Sequence, residues 1–234
     1  MENALITGAT QGIGRAIAFG FAKQGLNMAI CSRNNEDLLA LADELRAIAP
    51  QIRVFHLATD VSDQAQLLEF ARQAQAALGF IKVVVNNAGT FIPSTTLDDA
   101  DDTYDVLMDT NLRPAYNLYR FFGKSMQEQR SGHIFNICSA AAIHPAANAG
   151  TYSVTKAALR SLNIVMKLEM QAYSVKVTAV LPGSTYTESW AGTDIPPDRF
   201  VSTTDVANAV LSAYNMSIGA NVDEIVIKPV LGQL

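Results

Sequence analysis

The chain has 234 residues, 49% of them hydrophobic, 17% charged and 8% aromatic, enough to bury a substantial core in one large or two small domains. A formal net charge of −5 disfavours nucleic-acid and anionic-membrane partners, which call for a basic surface. Fourteen glycines and eight prolines exclude a low-complexity or collagen-like chain, and no apolar run approaches the roughly 18 residues of a membrane span.

Elements alternate along the chain. A strand is expected at 4–7, a helix at 14–24, then a strand at 27–31, a helix at 36–48, a strand at 53–57 and a helix at 64–78. A strand at 82–86 follows, then a long helical segment at 101–129 that Pro114 should kink or divide. The remaining elements are a strand at 133–138, a helix at 152–172, a strand at 176–181, a helix at 205–215 and a strand at 224–228. Gly25 closes the first helix, and Ser62 and Thr204 offer N-caps ahead of 64 and 205. Most strands are unbroken aliphatic runs, which suits strands covered on both faces. Alternating β and α units imply an α/β fold: a doubly wound parallel sheet of seven strands with helices on both faces, three layers in all.

No repeat or linker marks a second domain, so residues 1–234 are read as one domain with an irregular loop at about 183–204. Tyr186, Trp190 and Phe200 give that loop the character of a lid over a substrate. The first residues, Met1-Glu2-Asn3-Ala4, lack the basic region of a signal peptide, so a cytoplasmic protein is expected. With the first strand central, Cys31 and Cys138 stand three strand spacings apart, roughly 14 Å, beyond the disulfide limit of about 7 Å. No Cys/His cluster has metal-ligand spacing, and no metal is expected.

Directly after the first strand comes Thr7-Gly8-Ala9-Thr10-Gln11-Gly12-Ile13-Gly14-Arg15. Glycines here allow a tight turn and let backbone N–H groups approach a pyrophosphate at the positive end of a helix dipole. The spacing departs from G-x-G-x-x-G, and a purely structural turn is the other reading. The second strand should select the cofactor. It ends in Cys31-Ser32-Arg33-Asn34-Asn35, with no acid to hold a ribose 2′-OH and with Arg33 placed for a 2′-phosphate. NADP(H) is therefore expected over NAD(H), with Ser32 or Asn34 as a neutral second contact and a solvated surface charge as the other reading of Arg33. Glu36 and Asp37 read as first-turn helix residues. Thr59-Asp60-Val61 and Asn86-Asn87-Ala88-Gly89 end the third and fourth strands, so four segments deliver polar or small groups to one sheet edge.

The fifth strand ends in Cys138-Ser139, and Tyr152 opens the next helix with Lys156 at i+4, one turn along the same face. Tyrosine ordinarily ionises near about 10, and an ammonium one turn away stabilises the phenolate that acid–base work requires. His56, His133 and His144 stand in no triad order and are assigned no chemistry.

These residues resemble the short-chain dehydrogenases/reductases over essentially the whole chain. The likeness rests on Thr7-Gly8-x3-Gly12-x-Gly14, Asn86-Asn87-Ala88-Gly89, Asn111, Ser139, Tyr152-x3-Lys156 and Pro182-Gly183, in the family's order. It implies a Rossmann-like fold and an NADP(H)-dependent oxidoreductase that interconverts a carbonyl and a secondary alcohol. Tyr152 would be the general acid or base, Lys156 its partner and a ribose ligand, Ser139 the group that orients the substrate oxygen, and Asn111 the holder of a proton-relay water. Gly8, Thr10, Gln11, Gly12, Ile13 and Gly14 would cradle the cofactor, Asp60 and Val61 contact adenine, and Asn87, Ala88 and Gly89 lie along the ribose. Pro182, Gly183, Thr185 and Thr187 would approach the nicotinamide or pyrophosphate. The chain is broadly similar to 3-oxoacyl-[acyl-carrier-protein] reductases but runs Pro229-Val230-Leu231-Gly232-Gln233-Leu234 where those end in Gly-Gly.

Two other functions share parts of this pattern. A non-catalytic NADP-binding sensor or scaffold would ordinarily lack the Tyr or the Lys, and a nucleotide-sugar epimerase would carry Gly-x2-Gly-x2-Gly and a further substrate domain. The expected partner is a small carbonyl or alcohol substrate. Surplus apolar residues on the fourth and fifth predicted helices, such as Tyr116, Val154, Val165 and Leu168, point to a homotetramer or homodimer.

Overall fold

The structure is a computed structural model that describes residues 1–190 and 192–234, with the backbone alone at Ser189; of the expected lid, Ala191 and the Ser189 side chain lie outside the described residues. Seven strands form one parallel sheet: β1 (Asn3–Thr7), β2 (Asn27–Ser32), β3 (Val54–Ala58), β4 (Val83–Asn86), β5 (Gly132–Ile137), β6 (Val175–Pro182) and β7 (Glu224–Ile227), in spatial order β3-β2-β1-β4-β5-β6-β7. The chain winds outward from β1 through β2 to β3, then returns to lay β4 on the other side of β1. That reversal opens a crevice at the C-terminal ends of β1 and β4, where ligands of doubly wound sheets bind.

Strand periodicity sorts the side chains into two layers. Ala4 and Ile6 of β1, with Met28 and Ile30 of β2, face one core shared with α1 (Gly12–Lys23), α2 (Asn35–Ile48) and α7 (Thr203–Tyr214). Leu5, Ala29 and Cys31 face the other, shared with α3 (Gln64–Leu78), α5 (Arg113–Gln129) and α6 (Gly150–Met170). Both layers are apolar because every residue of β1 and β5 is buried, as the unbroken runs predicted. The edge strands β3 and β7 are the exceptions: most of their residues are partly exposed, and Val226 is 47% exposed. Three strand spacings separate Cys31 from Cys138, and both are free and buried. No helix among the described residues is long and apolar enough to cross a membrane.

Local differences from the expected elements have identifiable causes. The long fourth segment divides at Leu112 into α4 (Thr103–Asn111) and α5, with Pro114 in the first turn of α5, where a missing N–H costs nothing. The N-caps fall one residue after Ser62 and two before Thr204. Asp63 accepts from the N–H groups of Ala65 and Gln66, and Ser202 from that of Asp205. The carboxylate and the hydroxyl that reach two or three residues ahead win over their neighbours.

Candidate active site

Between β1 and α1 the chain turns through Gly8 (φ 63°) and Gly12 (φ 55°), left-handed positions that side chains rarely adopt. Gly14 is required for space instead: a Cβ there would collide with the carbonyl oxygen of Gly8 and the Asn87 amide. Asn87 explains the crowding, since its Nδ2 donates to Thr7 O (2.9 Å) and Gly8 O (2.8 Å). Thr7 Oγ1 in return accepts from the N–H groups of Asn87 (3.1 Å) and Ala88 (3.0 Å). The two loops bordering the crevice are thus one locked unit. Asn34, Asp63 and Ser202 cap α2, α3 and α7, whereas Gln11 gives α1 no side-chain cap. The first-turn N–H groups of α1, like those of α4, α5 and α6, receive no side-chain cap, and at the crevice they stand open to the pyrophosphate of a dinucleotide, with the Glu188 carboxylate close to Gly12.

Lys156 lies on α6, 4% exposed, with Nζ donating to Ile137 O (3.0 Å) at the end of β5. Its ammonium stands 5.7 Å from the centre of the Tyr152 ring, one helical turn away as the spacing predicted. A Cβ on Gly89 would meet Lys156 Nζ at 3.2 Å and Asn111 Oδ1 at 3.0 Å, so Gly89, Asn111 and Lys156 converge on one point. Asn111 spends its side chain on protein. Oδ1 accepts from Thr90 N (2.8 Å), and Nδ2 donates to Thr90 O (3.0 Å) and Thr155 Oγ1 (3.1 Å). Ser139, two residues beyond Ile137, caps a short 3-10 turn by accepting from Ala141 N (3.1 Å). Beside it burial pushes the Cys138 thiol up to about 12, so this cysteine stays neutral.

The start of α6 is clamped from outside. Ser94 N donates to Asn148 O (3.0 Å), Gly150 N donates to Ser94 O (3.1 Å), and Thr151 Oγ1 donates to Asp99. Thr96 fills the space where Gly150 would carry a Cβ. Phe91, 45% exposed, meets Tyr152 edge-on with ring centres 5.0 Å apart.

At the other end of the crevice, Ser32 and Arg33 lead from β2 into α2. Arg33 is exposed and takes part in none of the ion pairs among the described residues. Asn34 Oδ1 is occupied in capping, accepting from Glu36 N (2.8 Å) and Asp37 N (3.4 Å), and Glu36 and Asp37 lie in the first turn of α2 as expected. Asp60 turns its carboxylate to Ser62, accepting from N (3.0 Å) and Oγ (2.7 Å), and Val61 packs into the core beneath. Thr10, Gln11 and Ile13 lie between the glycines of the turn, Ile13 partly buried. The loop after Pro182 reaches back to this turn. The Thr187 methyl would lie 3.3 Å, and the Glu188 carboxylate 3.8 Å, from a Cβ on Gly12. Thr185 is 7% exposed and donates to Gly183 O (2.9 Å). The space beside Gly183 is filled by Gln233.

The sequence reading missed five residues that shape this site: Thr7 as the acceptor joining the loops, Phe91 against Tyr152, Thr155 as partner of Asn111, Glu188 near Gly12, and Gln233. Only Thr7 had a local signal, its place at the end of β1. The others act across gaps of 44 to 176 residues in sequence.

A model of the short chain dehydrogenase family matches residues 2–195. An uncharacterized oxidoreductase of Staphylococcus aureus (strain MW2) is 31% identical over 227 residues, covering 97% of this chain and 96% of its own. Among solved structures, an alcohol dehydrogenase of the archaeon Thermococcus sibiricus complexed with 5-hydroxy-NADP superposes with a TM-score of 0.93 at 25% identity, covering 100% of this chain and 99% of that one. The L-sorbose reductase of Gluconobacter frateurii, complexed with NADPH and L-sorbose, gives 0.90 at 25% identity, with 97% and 95% covered.

Proposed function

The chain belongs to the short-chain dehydrogenase family, and from that membership we propose an NADP(H)-dependent oxidoreductase that interconverts a small-molecule ketone and a secondary alcohol. Residues 1–234 act as one dinucleotide-binding domain whose loop at about 183–204 is the lid. The observation that carries the reading is the buried Lys156 ammonium, held 3.0 Å from Ile137 O and 5.7 Å from the Tyr152 ring at the crevice end of β5.

A bound nicotinamide dinucleotide supplies the hydride in reduction, or takes it up in oxidation. The glycine turn from Gly8 to Gly14, with Thr10, Gln11 and Ile13, holds its pyrophosphate at the uncapped end of α1. Ser32 and Arg33 hold the 2′-phosphate, Asp60 and Val61 border adenine, and Asn87, Ala88 and Gly89 border the ribose. Thr185 and Thr187 close over the cofactor from the lid after Pro182 and Gly183. Ser139 orients the carbonyl oxygen with its hydroxyl. Tyr152 Oη gives that oxygen a proton in reduction and takes it back in oxidation. Lys156 stabilises the phenolate left behind and reaches the ribose. Asn111 holds the proton-relay water, and its side chain tethers Thr90, which keeps Gly89 beside Lys156 Nζ.

Tyr152→Phe tests this. The ring stays and the acid goes, so NADPH still binds while its oxidation on a panel of ketones and 3-oxoacyl thioesters falls about 10²- to 10⁴-fold. A variant with wild-type kcat overturns the assignment. Val154, Ile164, Val165 and Leu168 on α6 and Tyr116 on α5 are between 40% and 57% exposed, which supports burial against a second copy in a homodimer or homotetramer. Light scattering should give a multiple of 25.2 kDa; a single-chain mass at micromolar concentration removes the interface.

A further inference from the structure

Gln233, already met beside Gly183, and Leu234 bring the segment after β7 to the base of the lid. Gln233 Oε1 accepts from Ser184 N (2.8 Å) and from Ser184 Oγ (3.1 Å), and Leu234 N donates to the same Oγ (3.1 Å). Ser184 also uses its carbonyl, which accepts from Val201 N (2.9 Å), while Tyr186 N donates to Val201 O (2.9 Å). On the strand side, Gly183 N donates to Ile227 O (2.7 Å). One residue, Ser184, therefore joins the outgoing limb of the lid, its returning limb and the segment after β7.

Gly183 records how close this approach is. A Cβ there would lie 2.5 Å from Gln233 Oε1 and 2.6 Å from Nε2. Any side chain at 183 would expel the amide. Of the two residues in Pro182-Gly183, the glycine thus answers to Gln233. Three residues beyond Ser184, the Thr187 methyl reaches the glycine turn at Gly12.

We propose that Gln233 is a positioning residue that latches the base of the 183–204 loop and so presets Thr185 and Thr187 for the cofactor. The inference rests on the dinucleotide-binding reading above. A loop already ordered at its base loses less conformational freedom when a ligand closes it, and that difference appears as affinity. A purely structural contact would lower thermal stability and leave cofactor affinity alone well below the melting temperature.

The experiment is a double-mutant cycle on the full chain with Gln233→Met, Ser184→Ala and the pair, read by NADPH titration and by steady-state kinetics. Gln233→Met keeps the length of the side chain and removes the accepting oxygen. Gln233→Met should weaken NADPH binding about 5- to 10-fold, the loss of two exposed hydrogen bonds, and Ser184→Ala less, about 2- to 5-fold, because Ser184 N still donates to Gln233 Oε1. The loss should appear in KM for NADPH more than in kcat. The double variant should be no weaker than about twofold below Gln233→Met, whose loss already includes the hydroxyl bond that Ser184→Ala removes. Binding by Gln233→Met within about twofold of wild type, or single losses that multiply in the pair, overturns the latch. A wild type that does not bind NADPH at all brings down the cofactor reading and the latch together; a wild type that binds, with a Gln233→Met that binds as well, brings down the latch alone.

Discussion

Replacing Asn111 by Ala removes three hydrogen bonds from a side chain that is 3% exposed: one from Thr90 N at 2.8 Å, one to Thr90 O at 3.0 Å and one to Thr155 Oγ1 at 3.1 Å. Thr155 keeps its own bond to Tyr152 O (2.8 Å), so its hydroxyl still has a partner. The backbone groups of Thr90 lose theirs. At about 1 kcal/mol net for each neutral bond, the loss comes to about 3 kcal/mol. For a domain of this size that lowers Tm by about 6–12 °C. Scanning calorimetry and urea denaturation measure it directly. Activity falls as well at temperatures where the variant is folded, because Thr90 spaces Gly89 at Lys156 from Phe91 at Tyr152. A Tm within about 2 °C of wild type, with an unchanged urea slope, would overturn the assignment of Asn111 as a tether. Unchanged stability together with a shifted pH–rate profile would leave Asn111 with the proton relay alone.

Arg33→Ala should weaken NADPH binding about 10-fold, the lower end for a charge-assisted phosphate contact because the side chain is exposed, and leave NADH nearly untouched. Equal losses for both cofactors, or a wild type that prefers NADH, would reduce Arg33 to a surface charge. His133 gives the fold an acid limb. Burial, with a smaller contribution from Lys176, lowers its imidazole to about 3, so between about pH 6.5 and that value the unfolded chain binds a proton that the folded chain refuses. Its contribution is fully present above about pH 6.5 and is lost as the pH falls toward 3. Urea midpoints followed down this range should drop less steeply in His133→Phe, and parallel limbs would refute the link.

The alternation of strands and helices, the glycine turn and the pairing of Tyr152 with Lys156 were legible because each is written locally. A strand, a turn and a helix start are consecutive at Thr7 to Gly14, and one helical turn separates Tyr152 from Lys156. Pro114 likewise announced the division of the fourth segment, though the break falls at Leu112. Residues whose work depends on distant backbone carried no such mark. Asn111 meets Thr90 only after α4 has folded back over the β4 loop, and Gln233 meets Ser184 only when β7 has joined the sheet edge. The caps at Asp63 and Ser202 were missed for a smaller reason: neighbouring Ser62 and Thr204 are equally good candidates by residue type, and only the turn geometry separates them.

The loop at 183–204 has a consequence for how the protein can be watched. Its two limbs are bridged at Thr185 and Val201, and inside that bridge Trp190 stands 4.9 Å from Phe200 and Tyr186 stands 5.4 Å from it, ring centre to ring centre. Trp190 is the sole tryptophan of the chain. Light absorbed at the red edge of the protein band is therefore absorbed by this loop and nowhere else. Its emission colour, lifetime and quenching by iodide are optical readings of one segment, obtained without a label and without touching a residue of the crevice.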